Sequence, residues 1–205
     1  MSHGNQPSYF TKINKQKARE QLVKVWRNLT SLHSIPIEKN YWTLCNKQPN
    51  CPGSEIVDLV NLGLLKKSQF CGVDYDLNDE GIQEQNAAIH PEAHWFRGDF
   101  VEVIDSNYNI FNPALVYYDS TMTGQTKYSQ QYMAQILNLC PLKTIVAANI
   151  MMTSGYQNKI FSPDTFISKF GKLIIDPQDW KLHKNHCFEY QSSQARMYTL
   201  FLERK

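Results

Sequence analysis

Residues 70–100 read FCGVDYDLNDEGIQEQNAAIHPEAHWFRGDF, and this stretch decides the fold. It opens on a short apolar run, 70–74, that ends in Asp74. A helix-compatible segment follows at about 79–89, and a second apolar run, 94–97, ends in Gly98-Asp99-Phe100. Two strands joined this way should be parallel, because a parallel pair needs a crossover of about a dozen residues or more. The same rhythm extends in both directions. Runs at 41–45 (YWTLC), 114–119 (ALVYYD) and 144–151 (TIVAANIM) read as strands, and 129–139 (SQQYMAQILNL) as a helix. Pro52-Gly53-Ser54-Glu55, followed by Ile56, Val57, Leu59, Val60, Leu62 and Leu65, reads as the start of another helix. Strands this short and continuously apolar are covered by helices on both faces. The architecture is α/β.

The end of the chain breaks the rhythm. Residues 186–191 (HCFEYQ) and 197–202 (MYTLFL) are strand-like, and only SSQAR separates them. That is too short for a crossover, so they should form an antiparallel hairpin at the sheet edge. The other end carries a helix at 11–32, with Ile13, Ala18, Leu22, Val25, Trp26 and Leu29 on one side, stopped by Ser34-Ile35-Pro36. Its outer face is basic: Lys12, Lys15, Lys17, Arg19, Lys24 and Arg27. The chain thus divides into a helix with its lead-in, 1–39, and a domain, 40–205. The basic face is the candidate surface for a nucleic-acid or acidic partner.

Length and composition bound the alternatives. A chain of 205 residues with 42% hydrophobic and 12% aromatic content builds one core without disulfides or metal. No window approaches the roughly 18 apolar residues of a membrane span, and the N-terminus lacks the apolar stretch of a secretory signal. A soluble, cytoplasmic protein that does not engage a membrane is expected. The five cysteines, Cys45, Cys51, Cys71, Cys140 and Cys187, have no metal-ligand spacing and read as free thiols. The segment after Asp74 looks superficially like a calcium loop, but Asp79 stands where such a loop requires Gly and Gln85 where it requires Glu. His90, His94, His183 and His186 lack the spacing of a metal motif, so no metal is expected. Net charge is only +2, but residues 54–105 carry eleven acidic residues against three basic ones.

Those acids matter because open α/β sheets bind ligands at the carboxyl ends of their strands. Asp74, Asp99 and Asp119 each stand at such an end. A carboxylate after the second strand can accept both hydroxyl protons of a ribose, and one after the third can accept from an adenine amine. The plainer reading is that these aspartates cap the helices that follow.

With Gly72-Val73-Asp74, Gly98-Asp99-Phe100, an apolar strand ending in Asp119 and a terminal hairpin, residues 40–205 resemble a class I S-adenosylmethionine-dependent methyltransferase. The resemblance implies a Rossmann-like three-layer sandwich with a mostly parallel, seven-stranded sheet, and S-adenosylmethionine as cofactor. It implies that Asp74, with Asp76 beside it, holds the ribose, and that Asp99 holds the adenine amine with Phe100 packed by the ring. Asp119 would stand near the methionine amino group or the acceptor and is the one catalytic candidate. Cys45, Asn46 and Gly53 would lie along the methionine moiety. The acceptor is not identified. The reaction is an in-line displacement at the sulfonium methyl, which needs positioning more than covalent help.

Two departures stand out. The family's first motif is an acid followed by Gly-x-Gly, and here 44–53 holds one glycine, Gly53. The Asn/Asp-Pro-Pro-aromatic motif of adenine and cytosine N-methyltransferases is absent at Asp119-Ser120-Thr121-Met122. The first departure supports an alternative, a methyltransferase-fold binding or scaffold protein that has lost its cofactor. A dinucleotide-dependent oxidoreductase is opposed by the missing Gly-x-Gly-x-x-Gly and by the terminal hairpin.

Overall fold

The computed structural model describes residues 9–44, 54–74, 82–119, 127–151, 163–191 and 196–205. Five strands form the parallel part of one sheet: β1 (Asn40–Leu44), β2 (Phe70–Asp74), β3 (His94–Arg97), β4 (Pro113–Tyr118) and β5 (Ile145–Met151). All six residues of β4 are buried, which is why this run shows no alternation of apolar and polar residues. Beyond β5 come β6 (Trp180–Leu182), β7 (Phe188–Gln191) and β8 (Arg196–Arg204). The order is β3-β2-β1-β4-β5-β8-β6, and β7 also pairs β8. Strand β8 is antiparallel to β5, β6 and β7.

Among the described residues the sheet therefore has eight strands where seven were expected. The addition is β6, three residues whose partners run from Trp180↔Arg204 to Leu182↔Leu202. It follows that β6 and β7 share β8 end to end. Three residues cannot display a period of two, so β6 left no pattern in the sequence.

Helices cover both faces. Trp42, Val73, Val116, Val146, Ala148 and Leu200 point toward α4 (Phe100–Asn107), α5 (Lys127–Leu139) and α6 (Pro163–Phe170). Tyr41, Phe70, Leu115, Ile145, Ala147 and Phe201 point toward α1 (Tyr9–Thr30) and α2 (Glu55–Asn61). A helix α3 (Ile82–Ile89) links β2 to β3. The result is a three-layer sandwich.

Several ends differ from expectation. Helix α1 stops at Thr30, two residues before the expected Leu32, because Ser31 turns left-handed at φ 57° while its N–H still reaches Arg27 O at 2.9 Å. Helix α2 stops at Asn61: Gly63, at φ 71°, donates to Val60 O and Leu64 donates to Leu59 O, a Schellman closure. Leu64 and Leu65 stay buried just beyond the helix, which explains why the apolar run outlasts it. Helices α4 and α6 are additions, each eight residues long and too short to show sustained periodicity.

Candidate functional site at the carboxyl edge of the sheet

Chain order along the sheet reverses between β1 and β4, and the crevice for a ligand in such a sheet opens outside the carboxyl ends at that point. Two groups of side chains flank it.

The first lies at the ends of β2 and β3. Asp74 is the last residue of β2, half-buried, in register with Arg97 of β3. Its carbonyl accepts from Gly98 N at 3.0 Å. Gly98 sits at φ 141°, and a Cβ there would stand 3.2 Å from Val103 Cγ2, so the turn takes glycine. Asp99 then caps α4, its Oδ1 accepting from Val101 N at 2.9 Å and Glu102 N at 3.3 Å. Its Oδ2 accepts from the Tyr132 hydroxyl at 2.7 Å. Burial, and then the bond to Asp99, holds that phenol protonated well above the usual tyrosine range. A carboxylate offers about four lone-pair sites, so Oδ2 retains capacity for one more donor. Phe100 is 1% exposed and its ring packs 5.4 Å from that of Tyr118, inside the core. Tyr118 is likewise core.

The second group gathers around Asn149 of β5, which is 2% exposed. Its Nδ2 lies 2.7 Å from the Tyr117 hydroxyl, 2.8 Å from Asp119 Oδ1 and 2.8 Å from the Tyr190 hydroxyl. An amide nitrogen has two protons for these three acceptors. The mismatch is relieved because Tyr117 and Tyr190 also bond each other. Thr199, opposite Asn149 on β8, donates to Asn149 Oδ1 at 2.5 Å and so sets which end of the amide faces the cluster.

Beneath it lies a charged layer. Tyr41 donates to Glu55 Oε1, and Arg19 Nη1 donates to Asp58 Oδ2 at 2.6 Å. Burial pushes the Glu55 carboxyl up; Arg19 and the Tyr41 bond oppose the shift, and Asp119 adds to it. Burial, reinforced by Glu55 for Tyr41 and by Asp119 for Tyr117, holds both phenols well above the ordinary range.

The structure thus brings Asp74 and Asp99 to neighbouring strand ends and Asp119 to the far side of the crevice. Cys45, Asn46, Gly53 and Asp76 lie outside the described residues. Arg19 does not belong to the basic outer face: it is 2% exposed and turned inward onto α2. Arg27 is partly turned in as well, donating to Leu62 O at 2.7 Å. Lys17 and Lys24 remain exposed. Asn149, Tyr190, Thr199 and Glu55 were not anticipated. Asn149 did leave a signal, since it is the one amide in the apolar run 144–151.

No protein-family model matches the chain, and no curated protein matches it in sequence. Solved structures do match. The O-methyltransferase from Bacillus cereus, in complex with SAH, superposes with a TM-score of 0.57 over 98% of this chain and 94% of that one, at 12% identity. A Streptococcus pneumoniae protein provisionally assigned as a tRNA (m1A22) methyltransferase, in complex with S-adenosyl-L-methionine, gives 0.54 over 88% and 72%, at 9% identity. The glycopeptide N-methyltransferase MtfA, complexed with sinefungin, gives 0.52 over 94% of each chain, at 7% identity. The fold is that of the class I S-adenosylmethionine-dependent methyltransferases. Of the residues expected around an adenosine, Asp74 and Asp99 stand at adjacent strand ends with the side-chain-free Gly98 turn between them, whereas Phe100, expected beside the adenine ring, is instead turned into the core.

Proposed function

We propose that this chain transfers a methyl group from S-adenosylmethionine to an acceptor seated between the ends of β1 and β4, inside the cell where that cofactor is made. The observation that carries the reading is the placement of Asp74 and Asp99 at neighbouring carboxyl ends of a methyltransferase-fold sheet. Asp74 would hold the ribose hydroxyls, and Asp99 Oδ2 the adenine amine while Oδ1 caps α4. When bound, the cofactor supplies a methyl on a sulfonium, a group that carries its own leaving group. The protein's part is to bind, orient and exclude water. Asp119, across the crevice and held by Asn149, faces the reacting end.

Calorimetric titration with S-adenosylhomocysteine tests this. Saturable binding, weakened about tenfold or more in Asp74→Ala, is expected. The absence of heat at high protein concentration favours the second reading, a fold that has lost its cofactor. That reading is motivated by the single glycine in 44–53 and by the engagement of Asp99 with Tyr132.

A further inference from the structure

We propose that Tyr132 is a positioning residue that makes the site selective for an amino-purine. Its hydroxyl holds the Asp99 carboxyl in one orientation, so that a nucleoside with an exocyclic amine is taken and one with a carbonyl at the same carbon is refused. The inference rests on the methyl-transfer reading, which gives Asp99 the adenine amine, and deepens it.

Geometry comes first. Two donors from the first turn of α4 reach Asp99 Oδ1, Val101 N at 2.9 Å and Glu102 N at 3.3 Å, while the Tyr132 hydroxyl of α5 reaches Oδ2 at 2.7 Å. The backbone bonds hold one oxygen and leave the carboxyl free to swivel about it. The bond from Tyr132 stops the swivel. The same hydroxyl accepts from Val101 N at 3.4 Å, which closes a ring of bonds between α4 and α5. One acceptor position remains on Oδ2, and Asp99 itself is only half-buried.

Rigidity comes second. A hydroxyl positions its partner only as well as its own ring is held. The Tyr132 ring is 9% exposed and lies between Tyr118 and Tyr128, with ring centres 5.7 Å and 5.9 Å away, and Tyr118 in turn rests on Phe100. Swinging Tyr132 aside breaks both of its ring contacts. Asp99 is therefore set before a ligand arrives, and a preset acceptor loses least on binding.

Chemistry comes third. Adenine presents an N–H on its exocyclic nitrogen, whereas hypoxanthine presents a carbonyl oxygen there and carries its N–H on the adjoining ring nitrogen. A carboxyl free to swivel follows that proton. One held by Tyr132 meets the carbonyl instead, and two acceptors then face each other with no proton between them. Tyr132 thus turns a carboxyl that accepts any nearby donor into one that reads where the donor stands.

The test is calorimetry on the full chain with S-adenosylhomocysteine and with S-inosylhomocysteine, which differs only in having the carbonyl in place of the amine. S-adenosylhomocysteine should bind about tenfold or more tighter. Tyr132→Phe keeps the ring and removes the bond, and the preference should fall by about threefold or more, through weaker binding of S-adenosylhomocysteine. Asp99→Asn, which can present an N–H to the carbonyl, should remove the preference. A role for Tyr132 in packing alone would move both ligands together and leave their ratio as it was. Equal affinities in the unaltered chain, an unchanged ratio or tighter S-adenosylhomocysteine binding in Tyr132→Phe, or a preference that survives Asp99→Asn overturns the proposal and leaves the methyl-transfer reading standing. Failure of S-adenosylhomocysteine to bind at all overturns both.

Discussion

The two sides of the crevice are built in opposite ways. At the ends of β2 and β3, Asp99 takes two of its bonds from residues two and three positions ahead, so the chain's own turn onto α4 makes most of that arrangement. Around Asn149, the partners lie 30 to 50 residues away, on β4, β7 and β8. A local device tolerates the loss of a member, because the turn still forms. A non-local one fails together: its polar atoms are buried, and each depends on a neighbour that only the assembled sheet delivers.

That contrast is easiest to break at Arg19. Removing it in Arg19→Ala leaves the buried Glu55 and the partly buried Asp58 without this cation, at a cost of about 3–5 kcal/mol in urea unfolding. The loss should shrink on acidification. Glu55 already sits above the ordinary carboxylate range. A group raised in the folded state adds stability below its unfolded pKa and loses it as pH rises through the folded one. Arg19→Ala should therefore be less costly near about pH 5 than near about pH 8; an equal loss at both would mean the carboxylates do not carry the effect.

Next in size is Asn149→Ala, which removes the amide that Thr199 and Asp119 bond, leaving Tyr117 only its bond to Tyr190, and should cost about 2–4 kcal/mol. A double-mutant cycle of Asn149→Ala with Thr199→Val should show coupling of about 1 kcal/mol or more. Simple additivity would remove the idea of a unit that fails together.

The local side is sharpened by a pair of variants. Asp99→Ala should cost about 1–2 kcal/mol through the lost cap, whereas Asp99→Asn keeps a capping oxygen and should cost a few tenths, roughly. If Asp99 also serves the adenine, Asp99→Asn nonetheless weakens S-adenosylhomocysteine binding, separating ligand role from cap. The smallest effect belongs to Lys17→Glu and Lys24→Glu on the exposed side of α1. Each should stay within about 0.5 kcal/mol in the same urea titration, and a larger change would show that this face is packed.

How much of this was legible follows from the same distinction. The strands 70–74 and 94–97 were readable to the residue, because apolar runs bounded by Gly and Asp announce themselves. Asp99's cap was readable too, being written within three residues. The inward turn of Arg19 was not. On a helical wheel it sits among lysines, and only the position of α2, with Asp58 39 residues away, pulls it in.

From the sequence alone came the α/β class, the terminal hairpin and the three aspartates at strand ends, because strand periodicity, loop length and turn chemistry are local and act before the chain is folded. The packed molecule decided which cation is buried, that β6 completes the edge, and that Asn149 of β5 gathers side chains of β4, β7 and β8 beside Asp119. Those outcomes depend on distances between segments far apart in the chain. Hydrogen-bond geometry and desolvation choose among partners only when the sheet has brought them within about 3 Å.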